Sequence, residues 1–349
     1  MAGTYLGLPF DEELFFNEWK NEPDTYKTAM LDSGAVIADA DIAAKIAGGS
    51  NLYTMPFYNT LPTTEPVNYD GKTDIEVEET AGDALTGVVF GRAKGWSARD
   101  FIVDFHKADP MASIIAQVSR YWDKYNERTI LAVLGAMFGC TPTDADIATA
   151  WALHKTDISA ASGTVTDANK LADASIADAA VKACGDNANG LFSLAFMHST
   201  VANNLAKKNL LEYRKYTDPS GIERQLPIAD INGYTVVTDD SLIDTSGDLP
   251  KYTTYLLGSG AIRTAAAPVA KPVTADRDEA KNGGQDMLYT RIRETVSANG
   301  FTWTGKNANT TGSDLNAISP TLAGLSDVSN YDLKFDPKAI AMASIVSNG

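Results

Sequence analysis

From Asp109 to Gly139 apolar residues return every three or four positions. Met111, Ile115, Val118, Trp122, Tyr125, Thr129, Ala132 and Ala136 fall on one stripe, which predicts an amphipathic helix. Asp109 is placed as its N-cap, Pro110 is preorganised for the first helical position, and Gly139 is placed to stop it. Arg120, Asp123, Lys124 and Glu127 lie largely off the stripe. Between Ile130 and Phe138 the helix turns apolar all round, as a segment entering a core does. About 30 residues at ~1.5 Å each make a spine of ~45 Å. The stripe is too aromatic and mixed for a coiled-coil zipper.

Other stretches carry strand patterns. In 63–104, Ile75 and Val77 alternate with acids, and Gly71, Gly82, Gly87, Gly91 and Gly95 punctuate the segment, so a long bent β-hairpin is expected. Its first half is acidic, with Glu65, Asp70, Asp74, Glu76, Glu78, Glu79 and Asp83; its second half is basic, with Arg92, Lys94 and Arg99. The two halves could pair with each other, or form a two-sided electrostatic surface for neighbouring copies. Residues 1–62 alternate short apolar pieces with acids and lack the surface for a core of their own, so they read as an arm that buries Phe10, Phe15, Phe16 and Trp19 against a partner.

After a polar excursion over 140–174, a helix is expected from an N-cap at Ser175 to Cys184 with Gly185 behind it. A strand follows at Leu191–Met197, and then a helix from about Ser199 through Val201, Leu205 and Leu210. Further strands are expected at Ile231–Thr238, opening on Asn232-Gly233, and at Tyr252–Leu257. Gln285–Trp303 reads as two long strands around Asn299-Gly300, and the chain finishes in an apolar strand. Alternating helices and strands without a phosphate loop leave a nucleotide-binding fold little support.

Composition narrows the chemistry. The 349 residues carry a net charge of −16 with 44% apolar content, an ordinary globular mix that opposes a phosphate-gripping surface. Cys140 and Cys184 are too few and too far apart for a zinc site or disulfide framework. The acidic N-terminus lacks a secretory pattern, and no apolar run reaches the ~20 residues that span a bilayer, so a soluble chain made in a reducing cytoplasm is expected. His198 and Ser199 are neighbours, but no nucleophile elbow surrounds them; His106 and His154 stand apart. Asp239, Asp240, Asp244 and Asp248 suggest a solvated turn rather than a calcium loop, because Leu242 occupies a ligand position. No catalytic residue, cofactor or metal site is expected.

The order of elements, together with DPMASIIAQVSRYWDKYNERTILAVLGAMFG, GLFSLAFMHSTVANNL, INGYTVVTDD, YTTYLLGSGAI and ISPTLAGLSDVSNYDLKFDPKAIAMASIVSNG, resembles the major capsid proteins of tailed double-stranded-DNA bacteriophages, whose fold is shared with encapsulins. The resemblance implies an α+β fold. It divides the chain into an N-terminal arm (1–62), an extended β-hairpin loop (63–104), a peripheral domain with the spine helix (105–140 and 265–324), and an axial α/β domain (141–264 and 325–349). It implies copies joined as hexamers and pentamers of an icosahedral shell, the loop lying across one neighbour and the arm on another. About 60 residues precede the hairpin, too few for a cleaved scaffolding segment, so a separate scaffolding protein is expected, with a portal and a decoration protein as further partners. Some members cross-link Lys to Asn; Lys72 with Asn307 or Asn309 is chemically able to do so, though a solvated surface role is the expectation here.

The inter-subunit contacts expected are Phe15, Phe16 and Trp19 on the arm, Arg92, Lys94, Trp96 and Arg99 on the hairpin, and Arg120, Lys124 and Arg128 on the spine. An acidic wall is compatible with enclosing double-stranded DNA without binding it tightly, because like charge keeps the DNA from adhering. The rival readings are an encapsulin-like cellular compartment and an α/β binding or hydrolytic domain.

Overall fold

The computed structural model describes residues 3–5, 8–10, 34–58, 65–72, 74, 77, 82–100, 110–188, 190–217, 223–231, 233–306 and 319–349. The elements are β1 (Gly3–Tyr5), β2 (Leu8–Phe10), β3 (Val36–Ala38), α1 (Ala40–Ile46), β4 (Leu52–Tyr58), β5 (Gly82–Val88), β6 (Phe90–Arg99), α2 (Pro110–Gly139), α3 (Ala145–Ala152), β7 (Lys155–Asp157), α4 (Asp173–Cys184), β8 (Leu194–Met197) and α5 (Ser199–Lys207). Then come β9 (Glu212–Thr217), β10 (Glu223–Ile231), β11 (Tyr234–Thr238), β12 (Ile243–Asp244), β13 (Lys251–Leu257), β14 (Ile262–Ala266), β15 (Val273–Asp278), β16 (Gln285–Ala298), β17 (Phe301–Trp303), α6 (Leu322–Leu325), β18 (Tyr331–Leu333) and β19 (Met342–Ser347). The chain divides into two compact units. One takes Arg92–Arg128, Val269–Ile292 and the start of the chain; the other takes Ala29–Gly91, Thr129–Pro268 and Arg293–Gly349.

The second unit is built on a mixed sheet, eight-stranded among the described residues, in the order β7-β19-β13-β8-β11-β10-β9 with β12 beside β13. β8 pairs in parallel with β11 and β7 with β19, while β13 is antiparallel to both β8 and β19. The apolar run Leu194-Ala195-Phe196-Met197 has no polar face because both faces of the sheet are covered. Leu194, Phe196, Tyr255, Leu257 and Met342 enter a core with Trp151 of α3 and the apolar end of α2. Ala195, Met197, Leu256, Ala343 and Ile345 point the other way, into a core with α4 and α5. Strand periodicity thus splits one sheet between two cores, each buried large side chain contributing about 1.5–3 kcal/mol.

In the same unit β4 and β5 form an antiparallel hairpin, from Leu52↔Val88 to Tyr58↔Gly82. A Cβ at Gly87 would run into the Tyr53 ring, so any larger residue there has to displace that ring. α1 caps this hairpin through a small core of Ile42, Ile46, Tyr53, Val89, Ala265 and Ala267. β3 runs parallel to β14, and β14 pairs with the second half of β16. Asp39 joins the pieces: one carboxylate oxygen caps α1 at the Asp41 and Ile42 N–H groups, and the other takes Arg263 at 3.1 Å.

In the first unit, β15 pairs antiparallel with the first half of β16, and β6 pairs with β16 as well. Among the described residues, no helix is long and apolar enough to cross a membrane.

Several sequence expectations change. The hairpin's first strand is Leu52–Tyr58, not the acidic stretch around Ile75; the described residues 65–72, Asp74 and Val77 carry no strand and are exposed. Val77 is 88% exposed, so its alternation with acids does not mark a half-buried strand. Asn299-Gly300 does not close a hairpin either. Gly300 supplies a φ of +87°, but β17 then leaves β16 and pairs antiparallel with β18, from Phe301↔Leu333 to Trp303↔Tyr331. Ser175 is not the N-cap of α4, which begins two residues earlier; its hydroxyl reaches back, accepting the Ala172 N–H at 2.9 Å and donating to the Ala172 carbonyl at 2.6 Å. Ile231 ends β10, and the strand after the turn starts at Tyr234. α2 starts at Pro110 as expected, while its expected cap, Asp109, lies outside the described residues.

Candidate assembly surface

In the first unit, Arg92, Trp96 and Ala98 of β6 turn inward, while Lys94 between them is exposed. Arg92 Nε donates to the Tyr125 hydroxyl at 2.7 Å, and the Trp96 ring meets Tyr121 edge-on, with centroids 5.4 Å apart. These pairings, 92 with 125 and 96 with 121, set β6 and α2 in opposite directions. Trp122 continues the seam, edge-on to Tyr121 at 5.3 Å and to Tyr125 at 6.0 Å. Its indole N–H donates to Thr290 Oγ1 at 3.1 Å, and that hydroxyl donates to the Lys94 carbonyl at 3.3 Å. Gly95 makes room for Tyr289, whose ring would lie 2.9 Å from a Cβ there.

At the end of β6 the Arg277 guanidinium meets three carboxylates. It lies 2.6 Å from Glu279 and 2.9 Å from Asp286, with Asp100 as the third partner. Glu279, then Asp100 and Asp286, hold this guanidinium firmly protonated. The Asp100 N–H donates to the Gly284 carbonyl at 3.1 Å, which fastens the β15–β16 turn to β6.

The predicted contact residues therefore divide. Arg92 and Trp96 contact α2 within the subunit, whereas Lys94 and Arg99 are exposed. Arg120 and Arg128 are exposed and Lys124 half-buried, a basic row at i, i+4 and i+8. Phe15, Phe16, Trp19, Asn307 and Asn309 lie outside the described residues. Lys72 is exposed in a turn where its N–H reaches Asp70 Oδ1 at 2.8 Å.

In the other unit, Tyr58 at the end of β4 and Tyr69 in the connection to β5 expose apolar surface that the sequence reading passed over. Tyr58 is 81% and Tyr69 94% exposed. Aromatic residues left this open inside an acidic loop mark a surface that a partner can cover. Their signal in the sequence was weak, because tyrosine tolerates water.

Among the described residues, both cysteines and two histidines serve the fold. Burial pushes the Cys140 and Cys184 thiols up to about 11, which suppresses the reactive thiolate. His154 is buried, its Nδ1 2.6 Å from the Met342 carbonyl, and stacks on Trp151. His198 Nδ1 accepts the Thr200 N–H at 3.0 Å as the cap of α5. Asp239 and Asp244 close local turns onto Ser241 and Ser246. Among the described residues no His, Cys, Asp and Glu groups of three or more are placed to hold a metal ion.

No known family profile and no curated protein sequence matches the chain. Solved structures do. The chain is similar to the capsid of Ralstonia phage GP4, with a TM-score of 0.55 and 10% identity over 90% of this chain and 86% of that one. It is similar to the cyanophage Pam1 capsid asymmetric unit, with a TM-score of 0.50 and 12% identity over 86% of each chain. A structure from Mycobacterium phage Cain matches with a TM-score of 0.50 and 10% identity over 96% of this chain and 95% of that one. At these identities the likeness is one of fold, and it runs nearly end to end. The chain has the α+β fold of phage capsid chains.

Proposed function

We propose that this chain, built on the phage capsid fold, is the major capsid protein of a tailed double-stranded-DNA bacteriophage. The observation that carries the reading is a fold match spanning most of both chains. Its function is then self-assembly: hexamers and pentamers close into an icosahedral head, formed in the bacterial cytoplasm and retained in the virion. A separate scaffolding protein, a portal and a decoration protein are the expected partners, and DNA is enclosed without sequence-specific binding. No catalytic role is assigned. The relatives give no support to a cellular compartment or a hydrolase.

In this reading β4, β5 and the loop between them form the extended arm that crosses a neighbour. The α2–β6–β16 unit serves as the peripheral domain and the eight-stranded sheet as the axial domain. Lys94, Arg99, Arg120, Lys124 and Arg128 provide charged contacts, while Arg92 and Trp96 shape the surface from beneath. Phe15, Phe16 and Trp19 anchor the N-terminal arm. Affinity comes from many modest contacts repeated around a closed shell.

Electron microscopy of the purified chain, alone and co-expressed with the neighbouring structural genes, tests the reading. Closed particles of uniform size are expected; only dispersed monomers in both preparations would overturn it. Replacing residues 59–81 by a short Gly-Ser turn keeps β4 and β5 paired. That variant should fold and yet form no closed shells.

A further inference from the structure

Helix α5 begins at Ser199, and its N-cap is an imidazole. The side chains favoured at this position are Ser, Thr, Asp and Asn, none of which changes charge between pH 5 and 8. His198 has the extended backbone of a cap, φ −69° and ψ 147°, and its carbonyl accepts the Val201 and Ala202 N–H groups. Nδ1 accepts the Thr200 N–H at 3.0 Å, so the ring is neutral with its proton on Nε2. Nε2 lies 4.0 Å from Asp240 Oδ1, while the Tyr252 ring of β13 covers the imidazole at 4.8 Å. The His198 side chain is 12% exposed and that of Asp240 76%.

We propose that His198 is an acid-sensitive cap that releases the first turn of α5 when the imidazole is protonated. The added proton goes to Nδ1, the only ring nitrogen with a free lone pair. Nδ1–H then opposes the Thr200 N–H, two donors face each other, and the capping bond is lost. Asp240 draws the cation to itself, so the two charge states favour different partners. Asp240 and Asp239 come from the turn after β11, Tyr252 from β13, and Gly349 at the end of the chain approaches Thr200 and Tyr252. Asp239 is engaged with the N–H and hydroxyl of Ser241. Asp240 also takes the Ser199 N–H at 3.4 Å, so its movement toward the imidazolium loosens a second first-turn donor. Val201, Ala202 and Leu205 stay buried in the sheet's second core, which confines the opening to the N-terminal turn. This switch does not depend on the shell reading.

Hydrogen exchange read by mass spectrometry on the full chain tests it, because the method serves subunits and shells alike. Exchange is corrected for intrinsic rates, and peptides covering 199–203 are compared with β8 peptides between pH 7.5 and 5.5. In the unaltered chain the ratio of protections should fall roughly fivefold, the scale of a lost cap. His198→Asn keeps an acceptor that does not titrate, and its ratio should stay flat; His198→Ser serves equally if the Asn variant folds poorly. The same pH response with and without His198 would overturn the proposal.

Discussion

Aromatic side chains hold both units together, by different means. In the eight-stranded sheet unit, Trp151 stacks on Phe138 at 5.5 Å and on His154 at 4.6 Å, with Phe301 edge-on at 5.3 Å, and Phe138 stacks in turn on Tyr255. Trp151 is 0% exposed, and burial pushes the Tyr255 hydroxyl up to about 12. In the α2–β6 unit, Trp96, Trp122 and Tyr125 are half-buried and Tyr121 is just exposed, and they are aligned by directed hydrogen bonds to Arg92 and Thr290. The first set is held by exclusion of water and the second by geometry. A seam of the second kind keeps aromatic edges open at the surface.

The comparison breaks most easily at Trp151. Trp151→Ala should cost about 3–5 kcal/mol in denaturant unfolding, against about 1 kcal/mol for Trp96→Ala. Equal losses would mean that the two clusters do not differ in kind. Acid is the next test. Burial holds the His154 imidazole below its usual value, with the Met342 carbonyl opposing only in part. Its stability contribution is therefore complete above the unfolded pKa of about 6.5 and declines as pH falls from there toward the folded value, by up to ~1.4 kcal/mol per unit. Unfolding curves at pH 7.5 and 5.5 should show this loss, and His154→Gln should remove most of it.

Smaller effects sharpen the other side. Trp122→Phe keeps the ring but deletes the indole donor to Thr290, which should cost about 1 kcal/mol. A loss below 0.3 kcal/mol, by the same measurement, would deny that polar edges align the seam. Tyr69→Ser should change subunit stability by less than about 0.5 kcal/mol, since the ring is already in water. Its effect should appear in the yield of closed particles instead.

Local chemistry made some of this legible beforehand. The spine helix announced itself through a stripe repeated over eight positions, and Gly185 stops α4 with a φ of +59° where the sequence placed a stop. The first strand of the hairpin was misplaced because the alternation of Val77 with acids is indistinguishable from a solvated acidic stretch until a pairing partner is known. Leu52–Tyr58, which pairs with β5, contains Pro56 and little alternation to reveal it. Of the surface residues, Lys94 and Arg99 could be read as charged and outward, but nothing in the sequence distinguished them from Arg92, whose guanidinium turns inward to Tyr125.

By itself the sequence determined the start of α2 at Pro110, the stop of α4 at Gly185, the strand that is apolar on both faces, and an acidic balance that disfavours gripping DNA. These follow from neighbours within a few residues and from sums over the chain. Only the tertiary structure decided that β17 leaves β16 for β18, that the terminal strand β19 lies between β7 and β13, and that His198 caps a helix beside Asp240. Partners such as these lie tens of positions apart or more, as Lys155 and Ser344 do. Strand pairing is made by backbone groups that are alike at nearly every residue, so it carries almost no local signature until packing selects one register.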